Sequence, residues 1–199
     1  MVDSMPIAFN IVLDFLIERN ISYPDNFVKI LTPLGFRGIA RYYAEAMGVQ
    51  LSSEEIYACF EQSLQNAYEK KIALKPNVKT TLERLRARGD RLNVLTASPH
   101  AFTDACLKNN GVYDLFENVW SSEDFGCLKS NPKIYHMAAE RLNTSVGKCI
   151  MTDDNLQVLE TAKAAGAQAL GVYDEYSADD TEKIQALADG YIHDFSEIE

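Results

Sequence analysis

From residue 74 onward, short apolar runs alternate with amphipathic stretches at helical spacing. That alternation restricts the chain to an α/β architecture, a Rossmann-like parallel sheet with helices packed on both faces. Pro76 opens a helix that carries Val78, Leu82 and Leu85, and Gly89 closes it. An apolar strand is expected over residues 92–95, and a helix around 102–109 ends at Gly111. A short strand over 118–120 and a helix over 132–142 come next, then a strand at 149–152 and a helix at 156–165 stopped by Gly166. Residues 169–172 read as a strand, 180–188 as a helix and 191–192 as a last short strand. In an open parallel sheet, ligands bind beyond the carboxyl ends of the strands. Those ends are where chemistry is to be sought.

The preceding stretch has a different period. Ser4 is placed to cap a helix with Pro6 in its first turn and Ile7, Ile11 and Phe15 on one face; it ends near Asn20, before Ser22-Tyr23-Pro24. A second helical pattern runs over residues 38–47. A third opens with the capping box Ser52-x-x-Glu55 and continues through Ile56, Phe60, Leu64 and Ala67. The organisation expected is a small helical domain over residues 6–73 and an α/β core made of residues 74–199 with residues 1–5.

The length of 199 residues fits one α/β domain with a small addition, and 47% hydrophobic residues are enough for a core. A formal charge of −10 argues against nucleic acid and against an anionic membrane as partners, although a few local cations can still hold a small anion. Cys59, Cys106, Cys127 and Cys149 form no C-x-x-C pair, the usage of free thiols in a reducing, cytoplasmic compartment. The most apolar early stretch, residues 7–17, is interrupted by Asn10 and Asp14, so neither a signal peptide nor a membrane span is expected.

Three strand ends carry reactive groups. The first strand runs into Thr96-Ala97-Ser98, whose hydroxyls and backbone N–H groups suit an oxyanion and equally suit an ordinary turn. Lys129, within Gly126-Cys127-Leu128-Lys129-Ser130-Asn131-Pro132, precedes a helix start, where the dipole favours anions, so it does not serve the dipole; a solvated loop lysine is the plain alternative. Asp153-Asp154-Asn155 ends a further strand. Adjacent carboxylates repel, which a hard cation relieves; helix capping accounts for one aspartate and not for both. Hydroxyl, lysine and acidic pair together are what a phosphate requires: short donors, a neutralising cation and a metal.

In this order the segments resemble the haloacid dehalogenase superfamily. Thr96-Ala97-Ser98 is similar to its second motif, and Lys129-Ser130-Asn131-Pro132 with the helix after it to its third. Residues 149–155, continuing through Thr161-Ala162-Lys163-Ala164-Ala165-Gly166, are similar to its fourth. The helical stretch resembles the small cap inserted between the first and second motifs, so the resemblance covers essentially the whole chain and is closest to the phosphatase and phosphosugar-mutase branch. Met1-Val2-Asp3-Ser4 looks like the tail of the first motif, Asp-x-Asp-Gly-Thr, whose two aspartates precede it. The first would be the nucleophile and the second the general acid and base; Asp3 matches only the trailing aspartate. The strand bearing them would lie between the strands ending at Thr96 and Asp153. Restoring about ten residues would supply an ordinary strand and the motif.

The resemblance implies a Mg²⁺-dependent phosphatase acting on a small phosphorylated metabolite through an aspartyl-phosphate. Asp154 would ligate Mg²⁺, with Asp153 as a ligand or close partner. Thr96, Ala97 and Ser98 would hold phosphoryl oxygens, and Lys129 would neutralise the nucleophile and the phosphate. In the cap, the loop Pro33-Leu34-Gly35-Phe36-Arg37-Gly38 would select the substrate, with Arg37 contacting a second polar group. His100, just past the second motif, could line the site, with an ordinary polar residue near a helix start as the plainer expectation; His136 and His193 attract no role. The alternatives are a phosphosugar mutase of the beta-phosphoglucomutase kind, or a non-catalytic binding protein lacking the nucleophile. A receiver domain is excluded because its acidic pair comes first in the chain. Phosphosugars, glycolate-type phosphates and nucleotides remain open as substrates, as does oligomeric state.

Overall fold

A computed structural model describes residues 1–31 and 34–199, with the backbone alone at Lys29. The described chain divides into two compact units, Val2–Ala73 and Met1 with Leu74–Glu199.

The first unit is helical: α1 (Met5–Ile17), α2 (Phe27–Leu31), α3 (Gly35–Ala46) and α4 (Ser53–Lys70). Its core is the apolar face of each helix: Val12 and Leu16 from α1, Phe27 and Leu31 from α2, Tyr43 from α3, Ile56 and Phe60 from α4. Aromatic edges knit it together, with Phe60 meeting Phe15 at 5.2 Å and Tyr43 at 5.8 Å between ring centroids. The Tyr43 hydroxyl, buried in this core, donates to the Val12 carbonyl at 2.9 Å, so its polar atom is satisfied. The capping box forms as the sequence predicts: the Glu55 N–H donates to Ser52 Oγ at 3.3 Å and the Ser52 N–H to Glu55 Oε2 at 2.8 Å. Ser4 does not cap α1 through its side chain. Its backbone is already helical (φ −91°, ψ −25°), whereas a capping hydroxyl works from an extended backbone. The helix expected from residue 38 begins at Gly35, and α2 carries too short a pattern to be read from sequence. Pro33, part of the expected selectivity loop, lies outside the described residues, and Gly35 to Gly38 belong to the first turns of α3.

The second unit alternates as expected: α5 (Val78–Arg88), β1 (Asn93–Thr96), α6 (His100–Asn109), β2 (Asn118–Ser121), α7 (Lys133–Arg141), β3 (Ile150–Asp153), α8 (Leu156–Ala164), β4 (Gln168–Val172), α9 (Thr181–Leu187) and β5 (Gly190–Ile192). α5 starts two residues later than Pro76 suggests. Asn77 holds a left-handed backbone (φ 59°), which interrupts the helix, and its side-chain amide donates to Asp194 at 2.7 Å. Gly89 ends α5 at φ 97°, where a side chain would be strained.

Among the described residues the strands β1 to β5 pair in parallel, in two groups: β1 with β2, and β3 with β4 with β5. Both groups share the same two apolar layers. Val94 of β1 lies with Val172 of β4 and Ile192 of β5 in one, while Leu95 of β1, Trp120 of β2 and Met151 of β3 pack against Phe125, Ile134 and Tyr135 in the other. This two-sided burial is what a parallel sheet needs. Among the described residues β1 and β3 are not paired with each other, so the sheet divides where the sequence reading sets the strand carrying the paired aspartates. Because the Gln168 N–H donates to the Cys149 carbonyl, the parallel pattern turns the backbone groups of Ile150 and Thr152 away from β4. Ile150 is 63% exposed, unusual for an apolar residue in such a strand.

Candidate active site

The site is built at the carboxyl ends of three strands. After β1, the Ser98 N–H donates to Thr96 Oγ1 at 3.1 Å, folding Thr96-Ala97-Ser98 into a tight turn ahead of α6. Ser122, in the 3-10 turn Ser122–Phe125 after β2, donates its hydroxyl to the Thr96 carbonyl at 3.1 Å. The end of β1 is thereby fixed from both sides, with Thr96 and Ser98 half-buried and Ala97 exposed.

Lys129 reaches the end of β3. Its ammonium donates to Asp153 Oδ2 at 2.5 Å, and each side chain is only 13% exposed. The structure thus brings the lysine and the acidic pair together, 24 residues apart in sequence. Tyr135 of α7 supports the lysine: its hydroxyl lies 2.8 Å from the Lys129 carbonyl and 3.3 Å from that of Val158. Burial, and then the nearby Asp153 charge, push the Tyr135 hydroxyl well above its ordinary pKa, so it remains a donor.

Neither aspartate of the pair caps α8. That role falls to Asn155, whose Oδ1 accepts from the Val158 N–H at 3.1 Å. Asp153 accepts from Lys129 and, through Oδ1, from the Asn155 N–H at 3.0 Å. Asp154 stands differently: among the described residues no lysine, arginine or histidine forms an ion pair with it. Burial first, then the charges of Asp153 and Asp174, raise its pKa, while the Met1 amine and Lys75 pull the other way.

Asp174 and Lys75 were not singled out from the sequence. Asp174 lies two residues beyond β4, and the Lys75 ammonium donates to its carboxylate and, at 3.3 Å, to the Tyr173 carbonyl. Burial alone would raise the Asp174 pKa, but the Lys75 ammonium and the Tyr176 N–H outweigh it and hold the carboxylate below its usual range. Asp174 is also within hydrogen-bonding reach of Asp154. The available signal was a third carboxylate just past a strand end; nothing local marks Lys75 as its partner.

Two other candidates have local engagements. Arg37, exposed on α3 of the helical unit, sets its guanidinium 4.1 Å above the Tyr57 ring. His100 bridges two carboxylates, Nε2 to Asp124 at 2.8 Å and Nδ1 to Asp104 at 3.3 Å, a stronger engagement than its position near a helix start suggested. Among the described residues no three His, Cys, Asp or Glu side chains converge to hold a metal, and no helix is long and apolar enough to cross a membrane. Asp154 offers hard oxygen donors of the kind Mg²⁺ takes, and Mg²⁺ typically needs only one or two carboxylates beside water and substrate phosphate.

Known proteins match along the chain. A family model described as haloacid dehalogenase-like hydrolase matches residues 6–166. YhcW of Bacillus subtilis (strain 168) is 27% identical over 139 residues, which cover 70% of this chain and 62% of that protein. The phosphoglycolate phosphatase of Colwellia psychrerythraea is 30% identical over 99 residues, covering 50% of this chain and 44% of the enzyme. The chain therefore spans less than two thirds of the length of these curated relatives. Among solved structures, a beta-phosphoglucomutase candidate from Thermotoga maritima superposes with a TM-score of 0.84 at 20% identity, covering all of this chain and 91% of the other. CbbY from Rhodobacter sphaeroides, in complex with phosphate, gives 0.77 at 19% identity, with the same coverage. These structures share the fold, and the family match over residues 6–166 makes the chain a member of the haloacid dehalogenase-like hydrolases.

Proposed function

We propose that the protein carrying this chain is a Mg²⁺-dependent phosphatase for a small phosphorylated metabolite. The observation that carries this is the asymmetry of the acidic pair: Lys129 takes Asp153, while among the described residues no lysine, arginine or histidine forms an ion pair with Asp154. In this reading Asp154 and, less directly, Asp153 hold the metal. Bound Mg²⁺ would draw charge from the phosphoryl oxygens.

The chain's own groups do the rest. Thr96 Oγ1, which can still donate its own proton, and the backbone N–H at Ala97 would orient the phosphoryl group, with the Ser98 N–H holding the turn in place. Lys129, steered by Asp153 and held by Tyr135, keeps a fixed positive charge facing it. The reading requires an attacking carboxylate facing the ends of β1 and β3, which among the described residues are not paired with each other; the phosphatase names of relatives such as the Colwellia enzyme agree with hydrolysis.

The test is Mg²⁺-dependent hydrolysis of p-nitrophenyl phosphate by two forms, the chain by itself and the chain with an Asp-x-Asp-Gly-Thr strand restored ahead of Met1. The restored form should turn over and lose activity with chelator or on Asp154→Ala, while the chain by itself should be inert. Two well-folded but inert forms would end the phosphatase reading for this substrate class. Activity in the chain by itself would show that another carboxylate is the nucleophile. Release of inorganic phosphate separates hydrolysis from the phosphoryl transfer of a mutase.

A further inference from the structure

At the ends of β3 and β4, Asp154 feels the charges of its chain neighbour Asp153 and of Asp174, and each of those two carboxylates has a lysine. The lysines are not shared evenly: Lys129 pairs with Asp153 and Lys75 with Asp174. Each of these two carboxylates has its own lysine, whereas among the described residues Asp154 forms no ion pair with a lysine, arginine or histidine.

The Lys75–Asp174 pair is well buried, at 16% and 8% side-chain exposure. Asp174 also has an ordinary structural task. It caps the 3-10 turn Glu175–Asp180 by accepting from the Tyr176 N–H at 2.8 Å, and its carbonyl accepts from the Ser177 hydroxyl at 3.2 Å. A cap of that kind needs no lysine. Drawing an ammonium out of water costs free energy that capping does not require, so the lysine calls for a separate explanation. What the capping role leaves out is the contact of Asp174 with Asp154.

We infer that Lys75 and Asp174 are a positioning pair that sets the charge around Asp154 and so the affinity with which this carboxylate takes a divalent cation. The inference rests on the proposed reading of Asp154. With the pair intact, the charges of Asp174 and Lys75 offset each other beside Asp154. Without Lys75, Asp174 becomes a second bare carboxylate beside the cation. Without Asp174, the ammonium of Lys75 competes with the cation.

The two single changes should therefore act in opposite directions and cancel when combined. Calorimetric titration of the full chain with Mn²⁺ measures this. Lys75→Met should tighten binding by about tenfold and Asp174→Asn weaken it by about tenfold, as expected for one unit charge added or removed nearby in a partly solvated site. The double variant should return to within about threefold of the unmodified chain. If both single variants bind Mn²⁺ unchanged while their melting temperatures fall, the pair is structural and the inference is wrong. Should Lys75→Met fail to fold, the double variant must still bind about tenfold more tightly than Asp174→Asn; equal affinities overturn the inference. Asp154→Asn separates the two levels. If it abolishes binding, the cation site stands whatever the pair does. If it leaves binding unchanged, the reading of Asp154 fails and the role of the pair fails with it.

Discussion

His100 opens α6 with each ring nitrogen turned to a different carboxylate, Asp104 on its own helix and Asp124 in the turn after β2. Arg141 of α7 donates to the Asp124 carbonyl at 2.8 Å, and the Tyr113 hydroxyl lies 3.4 Å from Asp104, so the surrounding charges are themselves held. The hydrogen bond to Asp124 first, then that to Asp104, raises the imidazole pKa above its usual 6.5, against a small opposing effect of burial. A histidine with a raised folded-state pKa stabilises the fold below the unfolded value and loses that contribution as pH rises through the folded value. The unmodified chain should therefore lose melting temperature as pH rises above the ordinary imidazole value, and His100→Gln should flatten the loss. The side chain is 41% exposed, so the difference should be small, about 1–3 °C. A profile that is identical in both forms would show that the bridge carries no stability.

At the scale of elements, β4 offers the sharpest test of packing. A Cβ at Gly171 would lie 2.5 Å from Ile184 Cγ2 of α9 and 2.7 Å from Tyr191 Cδ2 of β5. Gly171 is also the register partner of Asp153, so displacing β4 displaces the acidic pair. Gly171→Ala should cost about 1–3 kcal/mol in denaturant unfolding and weaken Mn²⁺ binding by the surviving fold. Full stability would mean that α9 can move away at no cost. In the helical unit, Ser52→Ala removes the capping hydroxyl of α4 and should cost about 1 kcal/mol, and Ser52→Asn should keep most of it. The box could be read from sequence because all its atoms lie within four residues. The absence of a Ser4 cap could not, since it turns on the backbone angle that entry into α1 imposes.

At the scale of the whole chain, the division of the sheet is the feature to measure. The backbone groups of Ile150 and Thr152 point away from β4, and by the same pattern those of Asn93 and Leu95 point away from β2. In hydrogen exchange these four amides should be the fast ones of β1 and β3, while Val94 and Met151 are protected by their ladders. Restoring an Asp-x-Asp-Gly-Thr strand should slow all four together. Slow exchange in the chain by itself would show that the two edges are already closed. Most of this fold was legible because a parallel sheet buried on both faces writes itself as apolar runs bounded by glycine and proline. Element boundaries shifted by a few residues where one backbone angle decided them, as at Asn77.

Sequence by itself determined the alternation of strand and helix, the caps and stops whose partners are near in the chain, and the clustering of hydroxyls, lysine and carboxylates at strand ends. It also marked Lys129, Asp153 and Asp154 as a group, because the residue types required by phosphate chemistry stand in order along the chain. Tertiary structure alone decided how charge is shared among them: which aspartate Lys129 takes, that Asn155 frees both aspartates from capping α8, and that Lys75 crosses 99 residues of sequence to meet Asp174. The reason is physical. Periodicity and capping are local and leave a local record, whereas the partner of a buried charge is settled by which chain segments packing brings within a few ångströms, and no residue pattern encodes that distance.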